Sequence, residues 1–520
     1  MKGPIVKRHI IGHATSSAKV QQVKKGEITH SYSEEEKEAF TEYINMALGK
    51  DADLRRILPL NAQDESLFAG VHDGLLLCKL INDAIPDTID ERVLNKGDIN
   101  TYKKHENQTV AINSAKAIGC NVVNIGAQDL IDGIPHLVLG LIWQIVKIGL
   151  FSRINLVNHP ELYRLLEEGE TIEDLLKLPI EEILLRWVNY HLKNAGWPKR
   201  VNNFSGDIKD GTAYTVLLAQ IAPKHCNRDP LNASSDLKRA ELVLDNADKL
   251  GCRKFVAPRD IVRGNKKLNL AFVANLFNTW PALEPVEDVE IIEETREEKQ
   301  FRNWMNSLGV EPFVNNLYLD LRDGLVLIQL FKQVEPGIVD DSKVNWNPTT
   351  TWKKLENDNY AVELGKQLKF SLVGIQGKDI LDGNKTLTLA VVWQLMRHHV
   401  LSILKRLGGG QAIGDNDIIR WANDKVRSAG KSSSMASFKD SSLRDSKFLI
   451  DLVDAVRPGA ADYSLVSDSR DDKDLLLNAK YAVSLARKIG CCVFALPEDI
   501  VEDKMIMTFV ATVMAVDLGH

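Results

Sequence analysis

A chain of 520 residues is too long for one core; at roughly 100–200 residues per domain it calls for three to five domains. Its 44% hydrophobic and 26% charged residues make an ordinary globular composition, neither disordered nor membrane-like. A formal net charge of −6 excludes wholesale nucleic-acid binding, which needs a basic face to displace phosphate counterions.

Residues 1–33 lack the apolar core of a signal peptide and read as a tail. Ser33 and Glu36 then have the spacing of a capping box, and Phe40, Tyr43, Ile44 and Ala47 follow at helical spacing. Asp73-Gly74 precedes the apolar run GLLLCKLI, and TYKKHEN (residues 101–107) opens another helical pattern. After Asp132-Gly133 comes LVLGLIWQIV, shorter than the ~18 residues of a membrane span and better read as a buried helix. The stretch 152–180 has its own helical pattern. A second kind of unit begins with Ile183, Leu184, Trp187, Val188 and His191 and contains LGCRKFVAPRDIV, residues 250–262. Residues 284–295 form an acidic linker.

From there the chain repeats itself. A shift of 250 residues sets Asp73-Gly74 on Asp323-Gly324, TYKKHEN on TWKKLEN, Asp129 on Asp379 and Trp143-Gln144 on Trp393-Gln394 without a gap. IGCCVFALPEDIV, residues 489–501, matches the second unit's signature. The organisation is A-B-A-B: units at 34–151, 181–283, 296–406 and 415–520, with a Gly-rich linker at 407–414. Alternating β-branched patterns are scarce, so the fold class is all-α.

The patterns of chemistry are missing. Cys78, Cys120, Cys226, Cys252, Cys491 and Cys492 form no C-x-x-C pair and suit a reducing, cytosolic setting. His105-Glu106 lacks the second histidine of a zinc motif, and SDSRDDKD lacks the glycine and glutamate of a calcium loop. GNKT at residue 383 lacks the Gly-Lys-Thr order of a phosphate loop and reads as a turn into a helix. Asp129, Asp260, Asp379 and Asp499 recur at one place in all four units and read as helix-start residues. No catalytic, cofactor or metal residues are expected.

With these marks in place, the chain resembles four calponin-homology domains in tandem pairs, as in the actin-crosslinking core of the fimbrin/plastin family. Tyr43, Trp187, Trp304 and Trp421, the Asp-Gly pairs at 73, 210 and 323, and the closing helices with Trp143-Gln144 and Trp393-Gln394 carry the resemblance. Asp445-Ser446 in the fourth unit departs from it, and the family's calcium-binding EF-hand segment has no counterpart, so direct calcium control is not expected. The resemblance implies F-actin as partner, two filaments with one per module, a monomeric chain, and a place in the cytoplasm and cytoskeleton.

It also implies contact surfaces on the A units' first and last helices and the B units' first helices. In module 1 these include Phe40, Tyr43 and Lys193, with the less apolar stripe His136, Gly140, Gln144 and Lys147. In module 2 they include Phe301 and Lys425, with Thr386, Ala390, Gln394 and Arg397. Each stripe runs from a small residue through an amide to a cation. The alternative function is a phosphoinositide-responsive membrane adaptor using Lys103-Lys104, Lys266-Lys267 and Lys353-Lys354, pairs too scattered to match clustered charge.

If Thr101 and Thr351 are N-caps, both lysine pairs stand in a helix's first turn, where a cation costs about 0.3–1 kcal/mol each. That cost favours starts a turn later, at Glu106 and Glu356, with the lysines in a loop.

Overall fold

The computed structural model describes residues 18–19, 32–502 and 505–519. Most of the expected tail lies outside the described residues. Apart from a two-residue antiparallel ladder joining Ala18–Lys19 to Tyr32–Ser33, every regular element among the described residues is helical.

Four units share one plan of opening, second, third, turn and closing helix. The opening helices are Glu34–Leu48, Ile180–Asn194, Arg296–Ser307 and Asp415–Ser428. The closing helices are Pro135–Phe151, Lys266–Thr279, Lys385–Leu407 and Ile506–Gly519. Ser33 caps the first opening helix by accepting the Glu36 N–H at 3.2 Å.

Each second helix starts from an acid and a residue with positive φ. Asp73, Asp210 and Asp323 accept the N–H two residues on, and Gly74, Gly211 and Gly324 hold φ of 70–80°. A Cβ on Gly74 would lie 2.7 Å from the Asn107 Cβ, so the turn also needs glycine for space. Ser446 keeps the turn in the fourth unit at φ 60°, with Asp445 accepting the Lys447 N–H at 3.0 Å. The departure read from Asp445-Ser446 is one of residue and not of backbone.

The third helices of units 1 and 3 are Thr101–Ala117 and Thr351–Gln367. They contradict the later start at Glu106 and Glu356. Asn100 and Thr350 are the caps, accepting the Lys103 and Lys353 N–H groups at 2.9 and 3.3 Å. A cap is worth about 1 kcal/mol, comparable to the cost of the two lysines in the first turn. The final asparagine of the shared phrase anchors the helix. Asn107 donates to the Asp73 and Asn95 carbonyls and accepts the Asn95 N–H, all at 2.8–2.9 Å. Asn357 repeats the set on Asp323 and Asn345, and Asn478 does so in unit 4 on Asp445 and Ser467. In unit 2 Arg239 does the corresponding work, donating to the Asp210 and Pro230 carbonyls.

Asp129, Asp260, Asp379 and Asp499 each accept the N–H of the residue before their turn helix at 2.7–2.9 Å, the helix-start role read from sequence. Asn384 in GNKT accepts the Leu387 N–H at 3.1 Å and so caps the closing helix.

Within each module the two closing helices pack together. The 23-residue helix Lys385–Leu407 is long and apolar enough to cross a membrane. Here it packs on units 3 and 4, and Leu404 near its end is fully buried with the fourth unit's core.

Candidate functional site

Module 1 places three helices around the candidate surface: the unit 1 opening and closing helices and the unit 2 opening helix. Phe40 is fully buried and stacks on Trp143, with ring centroids 6.2 Å apart. Phe301 is equally buried, 6.5 Å from Trp393. Both shape the opening helix from beneath and offer no surface to a partner. Tyr43 donates to Asp83 at 2.9 Å and stacks on Phe255 of unit 2, a seam between the units. Burial drives its hydroxyl well above the usual phenol range, so it stays a neutral donor.

Along the closing helix the stripe divides by role. Gly140 is exposed, and nothing lies within 4 Å of where its Cβ would be. Gln144 is committed elsewhere: it accepts the Asn121 N–H at 2.8 Å and donates to the Asn121 carbonyl at 3.0 Å. Gln394 holds Ser371 in the same way at 2.6 and 3.0 Å. The amide is a clamp on the loop after the third helix, with its polar groups already used. Sequence reading found the repeated glutamine and missed its backbone partner, because that partner lies 23 residues away on a loop.

The cations differ between modules. Lys147 is half-buried beside the Phe151 ring, and burial lowers its pKa, with Glu181 opposing and Lys267 adding to the shift. Arg397, its repeat, is bound to Asp415 of unit 4 at 2.5 Å. Lys193 is exposed at the end of its helix, whereas Lys425 is held by Asp517 at 2.6 Å. His136 is half-buried in the first turn of the closing helix; Thr386 is exposed and Ala390 half-buried. Of these four cations, Lys147 and Lys193 have no carboxylate partner among the described residues, whereas Arg397 and Lys425 are paired.

Two sets of contacts were not anticipated. The acidic run of the first opening helix latches unit 2: Glu35 meets Arg263 at 2.5 Å, Glu36 meets Lys267 at 2.9 Å, and Glu38 pairs with Arg259. Glu181 holds Lys266 at 3.1 Å. The other set joins the modules. Arg487 of unit 4 is 3% exposed and donates to the Thr88 carbonyl of unit 1 at 2.7 Å. Lys488 reaches the Val93 carbonyl at 2.8 Å, and Asn113 donates back to the Arg487 carbonyl at 3.0 Å. Burial pulls the Arg487 pKa down to about 10, leaving it charged at neutral pH. The only sequence signal lay in the mismatches between repeats, where Asn113 stands opposite Glu363.

A chain of two such A-B pairs, with paired closing helices and no cluster of metal-ligating side chains among the described residues, is a tandem calponin-homology protein. The calponin homology (CH) domain model matches residues 34–150, 178–282, 295–400 and 413–518. Fimbrin of Dictyostelium discoideum is 62% identical over 500 residues, which are 94% of this chain and 82% of that protein. Human plastin-3 is 55% identical over 507 residues, 93% of this chain and 80% of that protein. The crystal structure of the actin-crosslinking core of Schizosaccharomyces pombe fimbrin superposes with a TM-score of 0.81 at 45% identity, covering 93% of this chain and 100% of that one. The chain belongs to the fimbrin/plastin family.

Proposed function

We propose that the chain is a non-catalytic crosslinker of actin filaments, acting as a monomer in the cytoplasmic cytoskeleton with one module on each of two filaments. The observation that carries this reading is the duplication of a complete A-B pair within one chain. A second weak contact made by the same molecule gains from high effective concentration, and two sites facing different filaments produce a bundle. The solved relative of the same architecture is an actin-crosslinking core.

Within each module the approach surface is the exposed part of the closing-helix stripe together with the end of the B unit's opening helix. A bare Gly140 lets a partner's backbone come close, and Lys147 and Lys193 suit an acidic filament. The glutamines serve this surface indirectly, by holding the adjoining loop.

The phosphoinositide reading is not favoured. Lys266 and Lys267 are engaged by Glu181 and Glu36, which removes one of its three lysine pairs. Sedimentation of the whole chain with actin filaments and with phosphoinositide vesicles separates the two. Pelleting with filaments and not with vesicles is expected; the reverse would overturn the proposal.

A further inference from the structure

The two modules and three of the four units meet at a cavity of about 280 Å³. Trp304 and Met396 line it from unit 3, Phe494 and Phe509 from unit 4, and Val122 from unit 1. No acidic side chain lines it. Lys116 also lines it, half-buried, its side chain with no ion-pair or hydrogen-bond partner among the described residues. A half-buried lysine with no counter-ion attracts an anion, and an apolar cavity beside it gains free energy when filled. The two needs are met together by one kind of molecule.

We propose that this junction is a binding site for a small amphiphilic carboxylate, its apolar body in the cavity and its carboxylate on Lys116. His399 in the wall stays neutral at physiological pH, because burial pushes its pKa down to about 4. It therefore adds no second charge, and the site suits a monoanion. A site walled by three units suits a free acid rather than a lipid held in a bilayer. Because the walls belong to both modules, an occupant stabilises the docked arrangement over any in which the modules part.

Cys492 lies in the same wall, and it alone among the six cysteines is only partly buried. Its alkylation rate, followed residue by residue by mass spectrometry on the whole chain, reports occupancy without reference to filaments. Decanoate, below its micelle concentration, is the probe and decanol the neutral control. Decanoate should slow alkylation of Cys492 several-fold, and decanol should do so far less. Lys116→Met should weaken the decanoate effect about tenfold, the loss expected for a charge-assisted contact. Ala515→Phe, which fills the cavity from the closing helix of unit 4, should abolish it. Absence of protection, equal protection by decanol, or protection unchanged by Lys116→Met would each overturn the proposal, even if the Phe variant does not fold.

Discussion

The third helices of units 1 and 3 share the phrase T-x-K-K-x-E-N and differ in surroundings. Thr101–Ala117 is covered by unit 4 and by the opening helix of unit 3, and residues 110–115 are all buried. Thr351–Gln367 leaves Glu363, Lys366 and Gln367 exposed, and Trp352 keeps 69% of its surface in water. The copies agree where each unit must hold itself together, at Asn107 and Asn357. They diverge where one of them meets another unit. In a duplicated chain, shared residues mark the work of a single unit, and mismatches mark what it touches.

The largest expected effect lies on the covered side. Arg487→Met strips the Thr88 and Val493 carbonyls of a buried charged donor and should cost about 3 kcal/mol, read as a lower unfolding temperature and faster amide exchange around residues 84–95. Glu363→Ala on the open helix should stay within about 0.5 kcal/mol. A comparable loss from both would erase the contrast.

Next come the shared anchors. Asn107→Ala and Asn357→Ala each remove three hydrogen bonds to loop backbone and should each cost about 2–3 kcal/mol in their own unit. Unequal costs in thermal unfolding would show that the phrase does different work in the two copies.

The residue after each anchor breaks the symmetry. Gln108 donates to the Val71 carbonyl at 2.5 Å, whereas its repeat Asp358 is fully buried with both carboxylate oxygens unpartnered. Burial, reinforced by Asp323, pushes its pKa up to about 9 against the ordinary value of 3.8, with Lys354 opposing. A raised folded-state pKa means the proton is held more tightly in the folded state. The stability it supplies is full below about pH 4 and lost as pH rises towards 9. Asp358→Asn should therefore raise the stability of unit 3 at pH 8 by about 1–2 kcal/mol, read by thermal unfolding, and flatten its decline with pH. An unchanged pH profile would show that Asp358 finds a partner in solution.

The smallest effect is at the helix starts. Lys103→Glu should stabilise its helix by about 0.3–1 kcal/mol, since an anion suits the first turn. A loss there would argue for the later start that the structure contradicts.

These contrasts also show what could be read without coordinates. The 250-residue shift, the Asp-Gly turns, the four helix-start acids and the all-α class follow from local patterns, because caps, turns and periodicity act over a few residues. The roles of Tyr43, Gln144 and Gln394 do not, since each is decided by a group 23 or more residues away. Charge alone misplaced the start of Thr101–Ala117, because the Asn100 cap and the Asn107 anchor outweigh the lysines. The junction made by Arg487 and Lys488 was out of reach, since nothing in a helix's own period says which unit covers it.

The central claim is that two separate filament sites lie in one chain, and module-selective blockade tests it most directly. Gly140 and Thr386 are exposed on the two closing helices, so Gly140→Trp and Thr386→Trp should obstruct one module each and leave the fold intact. Paired low-speed and high-speed sedimentation with actin filaments should show that each single variant still pellets with filaments at high speed but no longer bundles them at low speed. The double variant should do neither. Bundling by either single variant at the level of the unaltered chain, with its unfolding temperature unchanged, would contradict the account.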